Sequence, residues 1–328
     1  MHRRGQPGTD SGFAARTLQS EKVFTEALRT AEGTKMPRTS WSALQRLAVF
    51  CPPLPQQRRI AEILDTVDAA IRSTERLIAK LEQMKQGLVQ DLLTRGIEKH
   101  GDLRDVDAHP ELFTDTSIGL IPRSWSLANV QSEFDILAGI TLGPDREPGR
   151  NASRYLRVGN VYRGCLALDK VLFLQASAAE RAEYSLRVDD LLIVEGHANP
   201  HEIGRCAIVT APAGGLLYQN HLFRLRAKRL APRFAELWLN SSVVQAYWYR
   251  ICSSSSGLNT INSTQLKSVP VAVPPPAEQD RIVRACDSAF ARIRSEESVR
   301  SKLHLLKAGL MDDLLTGRVR VTADEDAA

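Results

Sequence analysis

An α+β protein is predicted, in which a mixed α/β domain is joined to a long antiparallel two-helix coiled coil. Three observations predict it: a 43-residue amphipathic segment that occurs twice, a heptad spacing of apolar residues in each copy, and short β-branched or aromatic runs lying between the copies. The 328 residues exceed the roughly 250 at which a single core stops growing, so more than one unit is expected. Hydrophobic residues at 43% and charged residues at 25% suit a packed soluble protein and exclude a wholly disordered or collagen-like chain.

The repeat organises the chain. PPLPQQRRIAEILDTVDAAIRSTERLIAKLEQMKQGLVQDLLT starts at Pro52 and PPPAEQDRIVRACDSAFARIRSEESVRSKLHLLKAGLMDDLLT at Pro274, with 20 of 43 positions identical and no gap. Upstream, Gly33 to Val49 corresponds to Gly257 to Val271. Further back, Phe13, Leu18, Ser20 and Val23 align with Phe234, Leu239, Ser241 and Val244. The repeated unit is therefore a globular part followed by a long helix.

Taken in order, residues 1–50 are a remnant of a first globular part, since some 50 residues fall about 100 short of an ordinary domain. Residues 51–97 hold the first helix, whose seam runs through Ile60, Leu64, Val67, Ile71, Thr74, Ile78, Leu81, Lys85, Leu88 and Leu92 in alternating steps of four and three. Residues 98–120, EKHGDLRDVD and onward, are polar and turn-rich and read as a linker. Residues 121–272 form the second globular domain, with strands in SRYLRVGNVYRG, DDLLIVEG, EIGRCAIVTAPAGG and LLYQNHLFRLRAK and a helix in PRFAELWLNSSVVQAYWYRI.

Residues 273–318 hold the second helix, with a weaker seam of Ile282, Cys286, Ala289, Ile293, Glu296, Arg300, Leu303, Lys307, Leu310 and Leu314, and residues 319–328 are a tail. Pro55 and Pro276 near the starts, and Gly96 and Gly317 at the ends, are matched start and stop signals. Two equal helices bury both stripes if they pair antiparallel with residue numbers summing to about 374. That register sets Lys85 against Ala289, Thr74 against Arg300 and Ile78 against Glu296, which gathers the polar seam positions centrally. Gly87 and Gly309 share one repeat position, which points to close helix approach or to contact with a partner.

Several chemistries lack a motif. There is no GxxxxGK[ST] phosphate loop, no FxGxG-like methyl-donor loop and no [ND]PP[FYW] tetrapeptide, the nearest text being Asn199-Pro200-His201. His197 and His201 have the spacing of two ligands on a helix, but Pro200 between them argues for a loop and against a metal site. Five scattered cysteines, Cys51, Cys165, Cys206, Cys252 and Cys286, indicate neither a disulfide framework nor zinc. No run approaches the roughly 20 apolar residues of a membrane span and MHRRGQPGTDSG lacks a signal-peptide centre, so a cytoplasmic location is expected. The net charge of +5 is compatible with a polyanion partner.

The phrases SIGLIPRSW, DLLIVEG with EIGRCAIV, YQNHLFRLR, the PPxxxQxRI entry to each helix and the KxGLxxDLLT exit resemble the specificity subunits of type I restriction-modification enzymes, over about residues 13 to 320. The resemblance implies target-recognition domains that each read half of a split double-stranded DNA site, separated by a coiled coil. It implies a non-catalytic subunit whose coiled coil docks methyltransferase (modification) subunits, with restriction (motor and nuclease) subunits joining the complex. S-adenosylmethionine, ATP and Mg are then expected on those partners, none on this chain. Against that family the first recognition domain is expected to be largely missing from residues 1–50. The alternative is an interaction module that binds methyltransferase partners, or self-assembles, without specific DNA binding.

For DNA reading, arginine bonds guanine, asparagine or glutamine bonds adenine, and other polar side chains reach phosphate. The candidates are Arg157, Asn160, Arg163, Asn199, His201, Arg205, Gln219, Asn220, His221, Arg224 and Arg226, with Ser253 to Asn259 as a polar loop. Arg224 and Arg226 also alternate with Phe223 and Leu225 as in any half-buried strand, and Gln219, Asn220 and His221 equally suit internal hydrogen bonding.

Overall fold

The computed structural model describes residues 8–33, 37–143, 146–149, 152–255 and 258–322. The chain divides into two compact units, one of residues 1–83 with 290–328 and one of residues 84–289.

In the first unit, α1 (Ser11–Leu18), α2 (Glu21–Arg29) and α3 (Trp41–Gln45) precede α4 (Leu54–Thr94), which continues into the second unit. Asp10 caps α1 by accepting the Phe13 N–H, and Phe13 is buried with Ile60, Leu64, Leu314 and Leu315. The Gln57 amide, itself buried, ties these elements together. Its Oε1 accepts the Asp10 N–H at 2.8 Å and its Nε2 donates to the Pro52 carbonyl at 2.7 Å.

In the second unit, a hairpin of β1 (Phe113–Thr116) and β2 (Gly119–Pro122) leads to β3 (Ser126–Asn129), α5 (Val130–Glu133) and β4 (Phe134–Ala138). There follow β5 (Ser153–Leu156), β6 (Val161–Tyr162), β7 (Cys165–Leu166), β8 (Leu172–Leu174), α6 (Ala178–Tyr184), β9 (Leu191–Val194) and β10 (Gly196–His197). Then come β11 (Cys206–Ile208), β12 (Leu217–Tyr218), β13 (Leu222–Ala227), α7 (Pro232–Leu239), α8 (Ser242–Ile251), β14 (Ser253–Ser255), β15 (Leu258–Thr260), α9 (Ser263–Lys267) and β16 (Pro270–Val273). The helix α10 (Pro276–Thr316) begins here and ends in the first unit.

The central sheet has the order β11-β9-β13-β4 and is antiparallel throughout. Every residue of β9 is buried, and Leu192 and Val194 pack with Leu156, Leu186, Tyr218 and Leu222 in the core. A second sheet, β12-β5-β8, joins β12 and β5 in parallel. Two expectations change. The hairpin β1-β2 occupies the end of the expected linker, and the single helix expected after Pro232 is broken at Asn240, because the Ser241 hydroxyl accepts the Val244 N–H and starts a new helix.

The duplication is visible in the backbone. Helices α1 and α7 begin at 11 and 232, α2 and α8 at 21 and 242, α3 and α9 at 41 and 263, and α4 and α10 at 54 and 276. Gln279 repeats the role of Gln57, accepting from the Ala231 N–H and donating to the Pro274 carbonyl. Gly96 and Gly317, past the ends of the two long helices, have φ of +69° and +76°, the left-handed stop that glycine adopts without strain.

The helices pair antiparallel in both units. In the first, Lys307 binds Asp68 at 2.6 Å, and in the second, Glu278 accepts the Ile97 N–H at 3.0 Å; 68 and 307 sum to 375, as do 97 and 278. Of the seam residues, Ile60, Leu64, Val67, Ile71, Ile78, Leu92, Ile282, Ile293 and Leu314 are buried, while Leu81, Leu88, Leu303 and Leu310 are half-buried. Thr74 and Glu296 bond to Ala70 and Arg292 on their own helices. A Cβ at Gly87 or Gly309 meets nothing within 4 Å, which removes close helix approach as the reason for either glycine.

Asp68 gives the first unit an acid sensitivity. Burial works against its carboxylate, but Lys307 and Arg16 outweigh that and hold its pKa below the ordinary value. A depressed folded pKa contributes stability that is complete above the unfolded carboxylate pKa and is lost as pH falls toward the folded one. Denaturation of the wild-type chain is expected to show this loss below about pH 4, and Asp68→Asn to remove that part of the pH dependence while weakening the unit at neutral pH.

Candidate nucleic-acid interface

The eleven candidate contact residues separate by burial and partner. Arg226, on β13, donates from Nε and Nη2 to the two carboxylate oxygens of Asp190 at 2.7 and 2.8 Å, and Asp190 is 1% exposed. Arg224, two residues earlier, is buried and donates to the Glu183 carbonyl. Asn160, 3% exposed, accepts the Arg157 N–H and donates to the carbonyls of Ala167 and Lys170, so its amide closes a loop from within. The buried Arg205 donates to Val158 O and Glu202 and lies over the Tyr162 ring.

Arg163 donates to Asn240 Oδ1 and to the His201 carbonyl, and burial pushes its guanidinium below the usual value with Glu202 opposing. Arg157 is half-buried, with a buried Nε that has no hydrogen-bond partner. Gln219 is buried, and the backbone N–H groups of Gln219 and Asn220 donate to Leu156 and Ile140. These side chains build the domain. Asn160, Arg163, Arg205, Arg224 and Arg226, candidates for DNA contact by residue type, make these bonds within the domain; strand alternation gives a side chain's face but not its neighbour.

Asn199, His201 and His221 remain exposed. They lie near the three-stranded sheet β10-β15-β14, whose central strand β15 pairs with β14 on one side and with Gly196 and His197 of β10 on the other. Of the expected polar loop Ser253 to Asn259, residues 253–255 and 258–259 are thus strand, and residues 256–257 lie outside the described residues. Asn199 starts a 3-10 turn by accepting the His201 N–H, and Asn259 Nδ2 donates to the Ala198 carbonyl at 3.1 Å, which fixes the loop that carries both histidines. Pro200 places His201 in that turn, not on a helix. Gly204, at φ +64°, closes the loop, and a Cβ there would sit 2.2 Å from the Trp248 ring nitrogen.

His201 is hydrogen-bonded to the Tyr249 hydroxyl, their rings edge to face at 5.2 Å. His221 Nδ1 lies 2.7 Å from Glu195 Oε2 beside a cavity of about 440 Å³ that Val158, Gly196, Thr260 and Asn262 also line. Tyr249 and Glu195 were missed in the sequence. Tyr249 sat inside an ordinary amphipathic helix pattern, and its signal was the adjacent Arg250 at an outward position. The loops of Asn199 and His221, with helix α8, present amide, imidazole, carboxylate and phenol groups, the repertoire that bonds base edges and phosphates. Among the described residues, no group of three or more His, Cys, Asp or Glu is placed to hold a metal ion.

Residues 13–83 match the family described as the type I restriction modification DNA specificity domain. The chain is 25% identical over 289 residues to the type I restriction enzyme EcoKI specificity subunit of Escherichia coli (strain K12), covering 86% of this chain and 59% of that protein. It is 23% identical over 295 residues to the MjaVIII specificity subunit of Methanocaldococcus jannaschii, covering 88% and 66%. It spans less than two thirds of the length of either relative.

Among solved structures, the HsdS subunit from Thermoanaerobacter tengcongensis aligns over 95% of this chain and 71% of its own, with a TM-score of 0.52 and 16% identity. A structure described as the basis of assembly and conformational transition of a type I R-M system aligns over 95% and 72%, with a TM-score of 0.61 and 18% identity. In sequence and in fold, the chain is similar to the type I restriction enzyme specificity subunits.

Proposed function

We propose that this chain is the non-catalytic DNA-recognition subunit of a type I restriction-modification complex, whose single described α/β domain reads one half of a bipartite double-stranded site. The observation that carries the reading is an α/β domain with an exposed polar loop cluster set in a duplicated helical frame, the frame's first copy matching a DNA specificity domain. Asn199 and His221 reach base edges or phosphates, while Asn160, Arg205, Arg224 and Arg226 hold the strands that carry them. The two long helices dock methyltransferase subunits, which hold S-adenosylmethionine and modify adenine; restriction subunits with ATP and Mg complete the assembly. Met84 and Leu306, at one repeat position and both exposed, together with the open Gly87 and Gly309, are the parts of the helices offered to those subunits. The reading requires no membrane, and no described helix is long and apolar enough to cross one.

The test is to mix the full chain with its cognate methyltransferase subunits and to measure complex formation, sequence-selective DNA retention and adenine methylation together. Asn199→Ala and His221→Ala are expected to lower selective affinity about tenfold or more each, as removal of a base contact does, with the protein complex intact. A complex that forms normally and retains all DNA sequences equally overturns the recognition reading in favour of a protein-interaction module.

A further inference from the structure

Strands β9 and β10 are joined by Glu195, an acidic residue beside the exposed loop cluster. Its backbone is held from two sides. The N–H donates to the His221 carbonyl at 3.1 Å, and the carbonyl accepts the Ile261 N–H at 2.9 Å. Gly196, next in the chain, lies so close to β15 that a Cβ there would sit 2.8 Å from the Thr260 methyl. A side chain on such a support is aimed before any ligand arrives.

The carboxylate is engaged on one oxygen only. Oε2 lies 2.7 Å from His221 Nδ1, and because a carboxylate accepts while an imidazole N–H donates, the proton between them sits on Nδ1. Among the described residues Oε1 has no hydrogen-bond partner, and Glu195 lines the cavity of about 440 Å³ with its side chain 28% exposed. Gln265 on the same wall is spent, its Oε1 accepting the Asn262 N–H and its Nε2 donating to the Ile251 carbonyl. The cavity thus presents a fixed carboxylate oxygen with an unused lone pair. Beside DNA such a group is repelled by phosphates, and the contact that offsets the repulsion is a base-edge amine. In the major groove adenine N6 and cytosine N4 carry one, whereas guanine O6 and thymine O4 are acceptors that a carboxylate rejects.

We infer that Glu195 is a specificity-determining residue whose carboxylate accepts from the exocyclic amine of an adenine or a cytosine in the major groove, with His221 as its positioning residue. The inference rests on the recognition reading and adds to it the chemical class of one base. A carboxylate that served only to anchor the His221 loop would, on removal, weaken all sequences alike, whereas a base reader is felt at one position.

The experiment uses the full chain in complex with its cognate methyltransferase subunits and selects retained sequences from randomised double-stranded DNA. Wild type is expected to select a defined sequence. Glu195→Ala is expected to relax one position of it, admitting the disfavoured base pairs there about tenfold more readily, with the other positions unchanged. A second arm deletes the amine from the DNA at that position, using purine in place of adenine or 2-pyrimidinone in place of cytosine, and so tells the two bases apart. Affinity is expected to fall about tenfold for wild type and not at all for Glu195→Ala, a comparison that cancels any general weakening of the variant. An equal effect of amine deletion on both proteins overturns the inference, as does a Glu195→Ala profile that is unchanged or is broadened alike at every position. In those cases wild type still selects a sequence and the recognition reading stands. A wild-type complex that retains all sequences equally overturns that reading and the inference with it.

Discussion

Arg226→Ala is expected to destabilise the second unit by about 3 kcal/mol, at the lower end of the cost of breaking a buried ion pair because the arginine retains some solvent contact. Asp190 is 1% exposed at the entrance to β9, its Oδ2 also accepts the Arg187 N–H, and the guanidinium is the cation facing its two oxygens. Removing the fork leaves a buried carboxyl group with one backbone donor, next to the strand whose four residues fill the core. Arg226→Lys keeps charge but loses the bidentate geometry and is expected to recover part of the loss. Asp190→Asn with Arg226→Met removes both charges, keeps an acceptor for Arg187, and is expected to recover more. Urea denaturation followed by hydrogen exchange in β9 and β13 measures all three. An Arg226→Ala chain of wild-type stability with weakened DNA binding would return Arg226 to the interface.

That contrast marks where the sequence was legible. Heptad spacing identified a seam whose residues are buried, Leu64 and Ile282 among them, or half-buried, as Leu81 and Leu303 are, because a period of 3.5 specifies a face without knowledge of what lies opposite. The register came within one residue of that observed, since equal lengths and matched glycine stops leave few alternatives. Side-chain partners were not legible. Asp190 is 36 residues from Arg226, and Asn160 bonds to carbonyls seven and ten residues on, distances at which periodicity carries no information. The hairpin β1-β2 was hidden because its strands have four residues each, FTDT and GLIP, too short to show an alternation. The exposed loop cluster was half legible: Asn199, His201 and His221 were named, whereas Tyr249 and Glu195 join them through folding of segments 26 or more residues away.

The second large effect is expected at Glu278, where Glu278→Ala should cost the second unit about 3 to 5 kcal/mol. The residue lies in the first turn of α10, and its buried carboxylate closes the end of α4. Oε1 accepts the Ile97 N–H at 3.0 Å and the Arg104 Nη1 at 2.5 Å, while Oε2 accepts Arg104 Nη2 at 3.1 Å. Truncation strands a buried backbone donor and a largely buried guanidinium together, each of which carries a full desolvation penalty. Gly96 belongs to the same lock, because at φ +69° a Cβ would lie 2.3 Å from both Arg104 Nη1 and Glu278 Oε1; Gly96→Ala should therefore act in the same direction. Glu278→Gln supplies an acceptor for Ile97 without the charge and should cost less than alanine. The distinguishing measurement is exchange of the Ile97 amide, which must accelerate in Glu278→Ala by more than the global loss of stability accounts for. Equal protection of Ile97 in wild type and variant would show that the antiparallel register is set by apolar seam packing alone.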